Sequence, residues 1–129
     1  QLPALMQAAD VLAHPHLSGE AANFTSPMKF FDYMGTGTPI VATEIPPMME
    51  FKSAGVVAGW CEPDNPISYA RCLQQVLRTH PRKTEGYGNS VEFVRQFTWE
   101  NRIQQIHRYI DASLRDRQGS KARLAGDRG

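Results

Sequence analysis

The sequence predicts an α/β fold: a parallel sheet with helices on both faces, present only in part. Three observations predict it. Short apolar runs alternate with segments of helical period along the chain. Those runs are apolar throughout, as strands covered on both faces are. Only three of them are evident, whereas a doubly wound sheet usually has about five or six. The chain therefore reads as the later part of such a domain. Its 129 residues suit one compact unit, with 41% hydrophobic residues for a core and an ordinary 21% charged.

The first segment, Leu2 to Ala9, has Leu2, Leu5, Met6 and Ala9 at helical spacing. Val11-Leu12-Ala13 follows as a short buried strand that ends at Pro15. Residues 14–25 are polar and small, and read as a loop. Ser26 is a good N-cap and Pro27 suits the first helical position, so a helix runs on through Phe30, Phe31, Tyr33 and Met34. Gly35 and Gly37 offer left-handed conformations to stop it. Pro39 to Thr43 is the second strand, and Met48 to Lys52 a short helix.

Gly55 to Ala58 is the third and weakest strand. Cys61 to Pro66 reads as a turn, with Asn65 capping a helix that places Ile67, Ala70, Leu73, Val76 and Leu77 on one face. A weaker helical pattern, Tyr87, Val91 and Val94, is diluted by Gly86 and Gly88. Thr98 caps the clearest helix, whose Trp99, Ile103, Ile106, Ile110 and Leu114 form an apolar stripe. Trp60 and Trp99 are expected to pack. The expected division is a domain over 1–114 and a flexible basic tail over 115–129, where Arg115, Arg117, Lys121, Arg123 and Arg128 gather.

Several classes are disfavoured. A net charge of +1 points to neither nucleic acid nor an anionic membrane. No run approaches the roughly 20 apolar residues of a membrane span, and the N-terminus lacks the basic and apolar regions of a signal peptide. Residue 1 is Gln, so a fragment or processed product is expected. Cys61 and Cys72 fit no metal spacing and read as free thiols in a reducing compartment. His14 and His16 flank Pro15 as a candidate metal pair, but no third ligand stands at a suitable spacing. They are expected to line a ligand site instead.

Ligands of open parallel sheets bind beyond the carboxyl ends of the strands. The loop from His14 leads there into the helix at Ser26. The free N–H groups and the dipole of its first turn form an anion site, with Ser26, Met28 and Lys29 as candidates. A cation in this turn is disfavoured by about 0.3–1 kcal/mol. A bound phosphate reverses that sign. The competing reading pairs Lys29 with Asp32 at i+3, worth about 0.2–0.5 kcal/mol. Asp32 is either a sugar-hydroxyl acceptor or a solvated helix residue.

The strings ADVLAHP and SPMKFFDYMGTGTPIVATEIP, with FTWE at Phe97 to Glu100, resemble the C-terminal nucleotide-binding domain of the group 1 glycosyltransferases. That resemblance implies a Rossmann-like sheet within the two-domain GT-B architecture, and a retaining transfer of a hexose from a nucleotide sugar without a required metal or other cofactor. It assigns the donor diphosphate to Ser26, Met28 and Lys29, and the ribose hydroxyls to Asp32, where relatives usually have Glu. His14 and His16 would line the donor site. The family's upstream glutamate has no counterpart, since Phe24 stands at that spacing. Glu20 is the nearest carboxylate upstream and the one catalytic candidate. The implied partners are a nucleotide sugar, an N-terminal domain of the same enzyme and a membrane-associated acceptor; separately, a second copy of the chain would cover the incomplete sheet edge. The expected location is the cytoplasm, or peripheral to the inner face of a membrane. The rival reading is a non-catalytic nucleotide- or phosphate-binding α/β module.

Overall fold

The computed structural model describes residues 1–26 and 28–126, with side chains to residue 119. It divides into two units, the first spanning Gln1–Arg95 and the second starting at Gln96. The first unit contains α1 (Leu2–Ala8), β1 (Leu12–His14), α2 (Glu20–Asn23), α3 (Met28–Thr36) and β2 (Ile40–Thr43). A 3-10 helix (Pro46–Ala54), β3 (Gly59–Cys61), α4 (Pro66–Thr79) and α5 (Gly88–Val94) complete it. The three strands form one parallel sheet in the order β1-β2-β3. This is the expected partial Rossmann-like α/β arrangement.

Strand β2 lies in the middle, and all four of its residues are buried. Its period of two sends Ile40 and Ala42 to one face and Val41 to the other. On the first face Ile40 and Ala42 join Phe30 and Met34 of α3 and Phe51 of the 3-10 helix. On the second, Val41 meets Cys61 of β3 and Val76 of α4. Phe30 and Met34 are wholly buried, each contributing about 1.5–3 kcal/mol relative to exposure.

Helix α3 forms because Phe30 and Met34, four residues apart, present one apolar stripe to the sheet. It ends at Gly37, whose φ of 73° is left-handed. Gly35 does not share this role, since it lies within α3 and keeps a negative φ. Gly37 has a second duty. Its backbone packs on Gly86, and its carbonyl accepts a hydrogen bond from the Tyr87 amide at 2.7 Å. Gly86 therefore joins two segments and does not merely weaken a helix. Pro27, expected at the first helical position, lies outside the described residues.

Four expectations are corrected. The loop over 14–25 contains a short helix, α2. The third strand is Gly59–Cys61 and not Gly55 to Ala58. Gly55 is spent on ending the 3-10 helix with a φ of 65°, and pairing begins only at Ala58, whose amide donates to the Ile40 carbonyl at 2.9 Å. Cys61 thus belongs to a strand and not to the turn. Helix α4 is capped as expected, Asn65 Oδ1 accepting from the Ser68 amide at 3.0 Å. Yet it presents Tyr69, Cys72, Leu73 and Val76 to the sheet, leaving Ile67 65% and Leu77 49% exposed. The close approach of Cys72 and Val76 to Gly59 fixes that rotation.

The second unit holds α6 (Trp99–Gly126), with the Asn101 amide donating to the capping Thr98 hydroxyl at 3.3 Å. Trp99 is 80% exposed, so its expected packing is not realised, whereas Trp60 packs against the core. The side chains of Lys121 and Arg123, and all of Arg128, lie outside the described residues. No helix among the described residues is long and apolar enough to cross a membrane.

Candidate functional site

Three strands end on the same side of the sheet, at His14, Thr43 and Cys61. Two long-range contacts hold the chain leaving β1 across these ends. The His16 amide donates to Thr43 Oγ1 at 2.9 Å. The Ser18 amide donates to Asp64 Oδ1 at 3.1 Å, and the Ser18 hydroxyl donates to the same carboxylate. Asp64 sits in the turn before α4 with a φ of 58°, a left-handed conformation that Asp tolerates better than most residues. These anchors come from segments 27 and 46 residues away.

The sequence-predicted site residues fall into three places. His14 is buried, its ring 4.5 Å from that of His16, 5.6 Å from Phe30 and 6.1 Å from Tyr33. Its Nδ1 is sealed in with no hydrogen-bond partner among the described residues. Burial, then the neighbouring His16, lowers its pKa from 6.5 to about 4, and the Lys29 charge adds to this. His14 is thus neutral near pH 7 and shares an electrostatic neighbourhood with Lys29. His16 is half-buried.

Ser26, Met28, Lys29 and Asp32 are exposed at or just inside the start of α3. The Met28 amide donates to the Ser26 carbonyl at 2.9 Å. The Lys29 and Phe30 amides lie in the first helical turn, where N–H groups have no intrahelical acceptor. The described ion pairs are Lys52 with Glu44 and Arg95 with Glu92. Lys29 and Asp32 are not joined, so the salt bridge that competed for Lys29 is absent among the described residues. Glu20 is exposed and opens α2, where an acid suits the helix dipole. No hydrogen bond or ion pair ties it to another described residue.

A cavity of about 500 Å³ opens at the same strand ends, on the α4 face. Pro15, His16, Leu17 and Thr43 line one side, and Asp64, Tyr69 and Leu73 the other. Of the predicted lining pair, His16 borders this cavity and His14 does not. Tyr69 donates to the Val41 carbonyl at 3.2 Å, and burial with the adjacent Cys61 pushes its pKa up to about 12. Thr43, Asp64 and Tyr69 carried no local signal that marked them as site residues. Among the described residues, no group of three His, Cys, Asp or Glu side chains is placed to hold a metal.

The family model for glycosyl transferases group 1 matches residues 1–79. The chain belongs to the group 1 glycosyltransferases. The matched span runs from α1 to the end of α4 and contains every strand described here. The Phe97 to Glu100 string lies beyond it. No curated protein matches the chain.

Proposed function

We propose that the parent protein transfers a hexose from a nucleotide sugar to an acceptor with retention of configuration, and that this part binds the donor. The diphosphate lies on the first turn of α3, against the Lys29 and Phe30 amides, the Ser26 hydroxyl and the Lys29 ammonium. The Met28 amide joins them if the ligand displaces the Ser26 carbonyl. Asp32, one turn on, accepts hydrogen bonds from the ribose hydroxyls. Stabilising charge on the departing diphosphate lowers the barrier to transfer. Glu20 is the carboxylate of this chain assigned to the reacting sugar. Following the family resemblance, the reading assigns no metal. The acceptor and the rest of the catalytic site belong to an N-terminal domain. The proposed setting is the cytoplasm.

The observation that carries this reading is Lys29. A group 1 glycosyltransferase places a lysine in the first turn of a helix at the carboxyl edge of the sheet, exposed and without an ion-pair partner among the described residues. A phosphate supplies the counter-charge that the fold does not.

An amide NMR titration with UDP, GDP and ADP tests it. Saturable shifts should centre on Ser26 to Asp32, and Lys29→Ala should weaken binding by roughly tenfold, in line with loss of one charge-assisted hydrogen bond. Saturable binding mapped elsewhere on the sheet, or binding indifferent to Lys29→Ala, would sink the assignment. Binding at α3 by a full-length protein that transfers no sugar would favour the non-catalytic module.

A further inference from the structure

Cys61 and Cys72 take no part in donor binding as proposed above. Both are free; Cys61 is buried at the end of β3 and Cys72 is half-buried in α4. Cys61 belongs to the apolar cluster with Val41 and Val76, and Cys72 packs against that cluster. Gly59 and Cys61 lie on the same face of β3 by the period of the strand. Cys72 Sγ hangs over that face. A Cβ placed on Gly59 would stand only 2.4 Å from it, and Sγ is 3.7 Å from the Trp60 carbonyl. The missing side chain at Gly59 is therefore what lets the Cys72 sulfur descend to the strand that carries Cys61. Burial, then the neighbouring Cys72, raises the Cys61 pKa to about 12.

We infer that Cys61 and Cys72 form a reversible intramolecular disulfide that fastens α4 to β3. The oxidant is a small disulfide such as oxidised glutathione. The thiolate of the more accessible Cys72 attacks it, expels one glutathione thiolate and leaves a mixed disulfide on Cys72. Cys61 then loses its proton to solvent, attacks the Cys72 sulfur and expels the second glutathione thiolate. Two protein thiols give up two electrons and two protons, and one glutathione disulfide takes them up as two thiols. The raised pKa of Cys61 makes the second step slow at neutral pH and faster in alkali. The bond closes a short loop and holds in place the helix that carries Tyr69 and Leu73, two walls of the cavity.

The test incubates the chain with oxidised glutathione, traps remaining thiols by alkylation, and maps the product with trypsin without reduction. Cleavage after Lys52, Arg71 and Arg78 puts Cys61 and Cys72 on separate peptides, 53–71 and 72–78. The expected product is a monomer without free thiols, in which these peptides are joined and are separated again by dithiothreitol. Its thermal midpoint should exceed that of the reduced chain by several degrees. Cys72→Ser should abolish both the joined peptides and the shift, with unchanged circular dichroism. Separate glutathione adducts on the two cysteines, a disulfide between chains, or two thiols that persist in the folded chain would each overturn the proposal.

Discussion

The two faces of the sheet use the same three strands but are held by different means. On the α3 face, Phe30, Met34, Ile45, Met48 and Phe51 are all at most 2% exposed. The rings meet in sequence, Phe30 tilted against Phe51 at 5.0 Å and Phe51 edge-on to Phe93 at 6.0 Å. On the α4 face the buried set is small, Val41, Cys61 and Val76. Helix α4 there rests directly on the strand at Gly59, and Ala13 of β1 stays exposed. One face is filled by large side chains, the other by close backbone approach. The difference teaches that an apolar stripe on a helix predicts that a face is covered, but not how near the cover comes.

The largest expected effect breaks the filled face. Phe30→Ala removes a wholly buried ring and should cost about 3–5 kcal/mol. Val76→Ala on the other face deletes two methyl groups and should cost about 2 kcal/mol. Urea unfolding of both variants measures the gap. Equal losses would mean that the two faces are not held differently.

Next in size is an acid effect confined to the α3 face, where His14 lies against Phe30 and Tyr33. Its folded pKa of about 4 lies below the ordinary 6.5. Between these values the unfolded chain binds more protons than the folded one, so stability is complete above pH 6.5 and falls as pH drops toward 4. The loss should reach the order of 3 kcal/mol. His14→Gln should flatten this part of the stability profile whatever it does to the plateau. An unchanged slope in the variant would show that His14 is not the group responsible.

Much of this comparison was legible in the sequence, and the unread part has a physical reason. Leu12, Ile40 to Thr43, Phe30 with Met34, and the Asn65 cap are local signals, and each element appeared where its pattern stood. The donor-site candidates Ser26, Met28, Lys29 and Asp32 also came from one contiguous stretch, so the helix start was readable. The family match spans that stretch without assigning roles to its residues. Contacts across long separations were not readable. Asp64 holds Ser18, Thr43 holds the His16 amide, and Gly86 meets Gly37. Each looks like an ordinary turn or strand residue until the fold brings its partner. His14 was expected to line a site, but its place between Phe30, Tyr33 and His16 depends on how α3 docks on β1. The third strand lies later than its local pattern predicts for the same reason. Gly59 looks like a strand breaker locally, yet it is the position where α4 tolerates no side chain.

Gly59 also supplies the smallest and sharpest test. Adding a Cβ there creates contacts of 2.4 Å to Cys72 Sγ and 2.8 Å to Val76 Cγ2. Gly59→Ala should therefore destabilise by about 1–3 kcal/mol through overpacking, although alanine normally favours strand over glycine. The sign alone separates a packed position from a merely flexible one. If the Cys72 sulfur is the main obstacle, Cys72→Ala in the Gly59→Ala background should recover part of the loss. The coupling energy should fall within about 0.5–3 kcal/mol, the range for residues in contact. The recovery should be incomplete, because the Val76 contact remains. Additive losses would place Cys72 away from Gly59 and would remove the geometric basis for a link to Cys61. Coupling without full rescue is what a helix resting on bare backbone requires.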